Sequence, residues 1–431
     1  MKFNKFKILT ITALASGLFF SCAQKPLQNS ADQKSKEASQ NVISAKLPWS
    51  ERMMQSEMKR FPEAWMLDFH KSPKWSYPNG LVLKGAEQLF KKTGKREYYD
   101  YIKAYADELV NEDGSIKTYE ISKYNIDMLN SGNVLLYLYP VTKEEKYLKA
   151  IKLLRSQLDN HPRTSEGGFW HKKIYPNQMW LDGLYMGEPF YANYTKLFST
   201  GAEAEKAYND IVNQFDIIQK HMVDSKTGLL YHGWDESKEQ AWADKQTGLS
   251  PNFWGRAMGW YGMAIVDVLD FLPESHPGRK RLITYLKSYS EALVKVQDKK
   301  TGLWYQVLDK DGEKGNYLEA SASSMFVYTF AKAARNGYLP DSYKAIAKKG
   351  YDGILKNLIT LEPDGVVNLN QNCAVAGLGG TPYRSGTYDY YVNEEIRSND
   401  PKGTGPFILA SLELEEIELQ NDIKILALSK L

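Results

Sequence analysis

The feature that most narrows the fold of this chain is an internal repeat of paired segments. Stretches rich in Gly, Ala and Ser and poor in charge begin near Asn79, Asp127, Asp182, Arg256, Glu319 and Gly403. Such stretches suit helices that are buried on every side and packed closely. Between them run Glu97 to Val110, Glu144 to Leu158, Ala202 to Met222, Gly278 to Val296 and Asp341 to Leu358, with apolar residues at helical spacing and charges opposite. These read as outer helices with one wet face, and Trp49 to Phe69 supplies a sixth. Units that cannot bury their own apolar faces stack on one another. Six inner and six outer helices therefore predict an all-α fold, an (α/α)6 barrel, with short β-hairpin loops on one face.

The turns after the outer helices repeat as well. Glu112-Asp113-Gly114-Ser115, Glu166-Gly167-Gly168, Lys226-Thr227-Gly228, Lys300-Thr301-Gly302 and Pro363-Asp364-Gly365 each stand before alternating apolar residues. A glycine turn in that setting predicts a short hairpin. Each precedes an inner helix, so the hairpins cluster at one end of the barrel.

Composition sets the remaining bounds. The 431 residues, 43% hydrophobic and 25% charged, fit one large globular domain. The formal charge of +3 is spread without a basic block, so no nucleic-acid partner is expected. Aromatic residues reach 13%, with 29 Tyr and 10 Trp, and their faces suit both core packing and stacking on sugar rings. At the N-terminus Lys2, Lys5 and Lys7 precede an apolar run from Ile8 to Phe20, too short to span a bilayer, which ends in Ser21-Cys22-Ala23. This pattern predicts a lipoprotein signal peptide over 1–21, acylation of Cys22, a flexible tether over 22–46 and the barrel domain over 47–431. The expected location is the bacterial cell envelope, membrane-bound through the lipid alone and facing the periplasm. Cys373 is the other cysteine, so the mature domain has no disulfide to form.

In such a barrel the N-terminal ends of the inner helices share one pocket. Asp127 and Asp182 are placed to open the second and third inner helices, and Trp254, Arg256 and Trp260 stand at the fourth. His171 and Lys172, and His232, lie on the loops between. Two carboxylates flanked by apolar side chains such as Trp180 and Met186 are what glycosidic acid–base chemistry requires, because desolvation raises the pKa of one of them. Each aspartate taken alone reads equally well as a helix N-cap. No His, Cys or Asp cluster has metal-ligand spacing, and no cofactor is expected.

Asn177-Gln-Met-Trp-Leu-Asp182-Gly-Leu-Tyr-Met and Phe253-Trp-Gly-Arg256-Ala-Met-Gly-Trp260 resemble the unsaturated rhamnogalacturonyl hydrolases, glycoside hydrolase family 105. Tyr317-Leu-Glu-Ala-Ser-Ala-Ser and Asn399-Asp-Pro-Lys-Gly-Thr-Gly-Pro extend the likeness from about Trp49 to Ile417. Ala257 and Met258 depart from the Gly and Asn of the family pattern. The resemblance implies hydration of the C4=C5 double bond of a terminal unsaturated uronic acid, with Asp182 as general acid/base and Asp127 as its partner. The expected partner is an oligosaccharide carrying that sugar at its non-reducing end. Its contacts are expected from Tyr77, His171, Lys172, Trp180, Met186, His232, Trp254, Arg256 and Trp260, with Arg256 or Lys172 facing the uronate carboxylate. The same residues leave open an unsaturated glucuronyl hydrolase acting on glycosaminoglycan or ulvan fragments. A sugar 2-epimerase using His171 and His232, and a non-catalytic glycan-binding lipoprotein, are further readings.

Overall fold

In the computed structural model, which describes residues 42–428, the two kinds of segment are helices that alternate along the chain. The outer set is α1 (Trp49–Arg60), α3 (Arg96–Leu109), α5 (Glu145–Asp159), α7 (Gly201–His221), α9 (Pro277–Lys295) and α11 (Ser342–Asn357). The inner set is α2 (Tyr77–Thr93), α4 (Gly132–Thr142), α6 (Leu181–Phe198), α8 (Gly255–Val268), α10 (Ala320–Arg335) and α13 (Pro401–Leu428). A short helix, α12 (Tyr388–Val392), interrupts the last connection. Each inner helix packs beside the next, and α13 returns to α2, closing the expected (α/α)6 barrel.

The packing follows from the residues. Every residue of α8 is buried, which its Gly, Ala and Met content permits. On α3 the buried set is Tyr98, Tyr99, Tyr101, Ile102, Tyr105, Ala106 and Leu109, one stripe at helical spacing. Glycine lets the inner helices close up. A β-carbon on Gly85 of α2 would stand 2.8 Å from Ile408 of α13, and one on Gly405 of α13 would stand 2.8 Å from Leu81 of α2.

Three boundaries differ from the sequence expectation. The first outer segment does not run to Phe69: α1 ends at Arg60, and a 3-10 segment over Ala64–Phe69 follows. Phe61 precedes Pro62, and the proline ring disfavours helical geometry at the residue before it. The second inner helix begins at Gly132, not Asp127, because Asn125 accepts a bond from the Asp127 amide at 3.1 Å and holds Ile126–Leu129 in a separate 3-10 turn. Ordered contacts also begin inside the segment expected to be tether, where buried Ile43 donates its amide to Asp364 O at 2.9 Å. The predicted leader and Cys22 lie outside the described residues.

Four of the five predicted hairpins form, and at Lys300-Thr301-Gly302 there is a turn, with Gly302 N donating to Asp298 O at 2.8 Å. Val110 pairs with Ile116, Arg163 with Phe169 and Val223 with Leu230, and β3 (Ile359–Leu361) pairs with β4 (Val367–Leu369). Two further pairings organise the pocket end. β1 (Gln178–Trp180) and β2 (Gly233–Asp235) zip the loops entering α6 and α8 together, with Trp180 opposite Gly233. β5 (Asn372–Cys373) pairs with β6 (Ile396–Arg397) and gathers residues 374–395 into one excursion.

Candidate active site

Asp182 is the second residue of α6, directly after β1. Because β1 pairs with β2, and Leu181 N donates to His232 O at 3.1 Å, the Asp182 carboxylate and the His232 imidazole meet. His232 Nε2 lies 3.2 Å from Asp182 Oδ2. The approach is off the hydrogen-bonding line, and both atoms are buried without a hydrogen-bond partner. The other ring nitrogen, Nδ1, is 2.7 Å from the hydroxyl of Tyr391.

Asp127 reaches the same pocket from its 3-10 turn. A bridge between Asn125 and Lys172 sets the two loops side by side, so Lys172 Nζ sits 2.7 Å from Asp127 Oδ2 and His171 Nε2 sits 3.3 Å from Oδ1. Burial pushes the Asp127 carboxyl up, but Lys172 and then His171 outweigh it and hold the group below the usual carboxylate range. His171 is pushed down to about 4, chiefly by burial, and it senses both Asp127 and Asp182. Its ring stacks on Trp180 at 4.3 Å.

The remaining expected residues wall the site. Trp254 lies 4.8 Å from His232 and 5.9 Å from Tyr391, centroid to centroid. Trp260 stacks on Tyr185 at 5.0 Å with Tyr77 edge-on at 6.1 Å. The Tyr77 hydroxyl is pushed well up, by burial first and then by Asp127. Met186 is buried one turn beyond Asp182. Arg256 differs from the expectation of a cation facing the substrate. It is 1% exposed and donates to Ser321 Oγ at 2.7 Å, to Ala374 O at 3.3 Å and to Cys373 O, with Glu319 at 3.6 Å. Its donors bind α8 to the head of α10 and to the strand of Cys373. Met258, a departure from the family pattern, turns toward a hairpin, its sulfur accepting from Leu230 N at 3.2 Å.

Sequence reasoning missed Tyr391, Tyr175 and Arg384 as members of this assembly. Tyr175 stacks on Trp180 at 5.1 Å and accepts from Arg384 Nη2 at 2.8 Å. Arg384 and Tyr391 lie in the Gly- and Tyr-rich loop Gly380 to Tyr391, whose composition fits either a fold over the pocket mouth or a brace for the barrel and does not single out these two side chains. Trp180, Trp242, Ala243 and Leu378 form a small apolar cluster of their own at this rim, with Tyr175 packed against it. Among the described residues no group of His, Cys, Asp or Glu is arranged to hold a metal ion.

Two carboxylates and two imidazoles at the mouth of an (α/α)6 barrel walled by indoles define a class, the barrel glycosidases. Residues 49–418 match the model of Glycosyl Hydrolase Family 88, and the chain belongs to that family. It is similar to a solved glycoside hydrolase from family 105 of C. acetobutylicum, with 49% identity and a TM-score of 0.82 over 86% of this chain and 100% of that one. Protein Atu3128 of Agrobacterium fabrum is 39% identical over 237 residues, 53% of this chain and 97% of its own length. The unsaturated rhamnogalacturonyl hydrolase YesR of Bacillus subtilis is 30% identical over 256 residues, 58% of this chain and 68% of its own length.

Proposed function

We propose that this protein is an unsaturated rhamnogalacturonyl hydrolase, which removes a terminal 4,5-unsaturated galacturonic acid from rhamnogalacturonan-derived oligosaccharides. The observation that carries the reading is the inequality of the two carboxylates. Asp127 is held as an anion by Lys172 at 2.7 Å, whereas among the described residues Asp182 has no Lys or Arg within ion-pair distance, only His232 Nε2 at 3.2 Å, and its buried Oδ2 is without a hydrogen-bond partner. One is an electrostatic post and the other is available to exchange a proton.

The chemistry follows from the vinyl ether. Asp182 transfers a proton to C4, and the positive charge that develops at C5 and the ring oxygen is steadied by anionic Asp127. Water adds at C5 and gives its proton back to the Asp182 carboxylate. The resulting hemiketal opens to a 5-keto form, C1 is left as a hemiacetal, and its collapse expels the aglycone as an alcohol. Trp180, stacked between His171 and Tyr175, and Trp254, packed on His232 and Tyr391, hold the side chains around the two carboxylates in place. YesR carries the name of this activity, and its similarity supports the choice of substrate. The signal-peptide pattern over 1–21, directly before Cys22, supports a lipid-anchored enzyme in the cell envelope, facing the periplasm.

The test is loss of the ultraviolet absorbance of the conjugated double bond. The domain is incubated with an unsaturated rhamnogalacturonan disaccharide and, separately, with an unsaturated glucuronyl disaccharide, with Asp182→Asn in parallel. Loss with the first substrate, lowered in the variant by about 10² to 10⁴, supports the proposal. Loss only with the second moves the enzyme to the glucuronyl hydrolases, and no loss with either overturns the hydrolase reading.

A further inference from the structure

The two cations expected to face the uronate are both occupied, Lys172 by Asp127 and Arg256 by backbone carbonyls and a serine. A third cation stands at the same pocket. Arg384 lies 5.7 Å over the Trp180 ring and 5.8 Å over the Tyr175 ring. Trp180 in turn stacks on His171, the neighbour of Asp127, and contacts His232, the neighbour of Asp182, at 5.4 Å. Arg384 also figures among the charges that hold Asp127 low.

The guanidinium is held in a built cradle. Nε donates to Gly379 O at 2.8 Å, and Nη2 donates to Leu378 O at 3.1 Å and to the Tyr175 hydroxyl at 2.8 Å. Reciprocal backbone bonds between Gly379 and Arg384, at 2.8 and 3.2 Å, close the loop that presents it. Gly377 lets the guanidinium lie close to the loop backbone, since a β-carbon there would collide with Nη1. Among the described residues Nη1 makes no hydrogen bond and the side chain enters no ion pair with a carboxylate. An arginine held by neutral acceptors on two of its nitrogens, with a third directed elsewhere, is pre-organised for an anion that arrives with the ligand.

We propose that Arg384, braced by Tyr175, binds the carboxylate of the unsaturated uronic acid and so orients C4 and C5 against Asp182. This rests on the substrate being an unsaturated uronoside. A sulfate on the following sugar has related chemistry, and the experiment separates the two anions.

Steady-state kinetics of the wild type, Arg384→Ala and Arg384→Lys are compared on the free acid and on its methyl ester, with thermal melting as a check on folding. The methyl ester deletes the charge, and the ratio of ratios cancels its different intrinsic reactivity. The expected result is a kcat/KM on the acid lowered about tenfold or more in Arg384→Ala, and loss of the wild-type preference for the acid over the ester. Arg384→Lys restores part of that preference. If the alanine variant does not fold, Arg384→Gln and the lysine variant carry the comparison. A variant that keeps the full acid-over-ester preference shows that Arg384 only staples the loop, which overturns the proposal while the hydrolase reading stands. A variant that loses only discrimination between sulfated and unsulfated aglycones assigns Arg384 to sulfate and likewise overturns it. A wild type inactive on every unsaturated uronoside removes the substrate itself, and with it the proposal.

Discussion

The hydroxyl of Tyr391 lies 2.7 Å from Nδ1 of His232, joining residues 159 positions apart. Burial, with Tyr390 and Asp182 adding to it, pushes the deprotonation of Tyr391 well up, so the hydroxyl stays a donor across the neutral range. When that hydroxyl donates to Nδ1, a single ring proton of His232 sits on Nε2, 3.2 Å from Asp182 Oδ2. The tyrosine is thus placed to select the tautomer that turns an N–H toward the Asp182 carboxylate.

Tyr391→Phe removes that selection and leaves the aromatic packing against Trp254 in place. We expect kcat to fall about tenfold with little change in KM, the size of one lost buried hydrogen bond. Unchanged kcat in a steady-state assay would rule out the tautomer assignment.

Lys172→Met tests what holds Asp127 ionised. Burial alone raises this carboxyl, and Lys172 is the first of the groups that lower it. Without the lysine the carboxyl rises, so the acidic limb of the kcat/KM profile moves toward neutral pH. An acidic limb that stays in place would mean that Asp127 does not govern it.

Glu188 on α6 is 1% exposed, and its carboxyl is pushed well up by burial, then by Asp210, with Arg163 opposing. The folded protein keeps a proton that the unfolded chain releases near the ordinary value of about 4.3. Stability therefore falls as pH rises from there through the folded value. Glu188→Gln removes that loss and raises the melting temperature above neutral pH by about 2–4 °C, with a flatter pH dependence in calorimetry. An equal or lower melting temperature at alkaline pH would show that the glutamate is better accommodated than its surroundings suggest.

At the opposite end of the barrel Lys332 bonds Asp267 at 2.7 Å and Asp270 at 2.5 Å, while Lys84 also pairs with Asp267. Lys332 is about 18 Å along α10 from the helix head. Lys332→Met leaves a buried carboxylate short of one partner, and we expect a stability loss of about 3–5 kcal/mol by denaturant titration. The kcat of the folded enzyme should stay within about twofold. A large kcat change in a fully folded variant would mean that the two ends are coupled.

Much of the barrel was legible because its composition alternates for a physical reason. A helix enclosed by others admits few charges and favours small residues, as α8 shows, and an outer helix keeps one charged face, as α3 shows. The glycines of the hairpin turns marked one end of each helix pair, and the left-handed φ of 77° at Gly228 and 79° at Gly302 explains why glycine stands there. Asp182 and Asp127 were legible as candidates because they stand at predicted helix mouths, and His171 and His232 because they lie on the loops between them. Which donor meets which acceptor was not. Arg256 has the residue type and position of a substrate cation, but the carbonyls of residues 373 and 374, distant in sequence, supply its acceptors.

The sequence by itself determined the helical pairs, the end of the barrel that carries the loops and the acids that line it, since each depends on hydrophobic period, turn glycines or residue type at a local position. Tertiary structure alone decided the division of labour inside the pocket. Lys172 reaches Asp127 through a bridge between separate loops, Tyr391 reaches His232 across 159 residues, and Arg384 reaches Tyr175 across 209. Charge and hydrogen-bond energies depend on distances of a few ångströms, and a chain sets those distances only when distant segments pack.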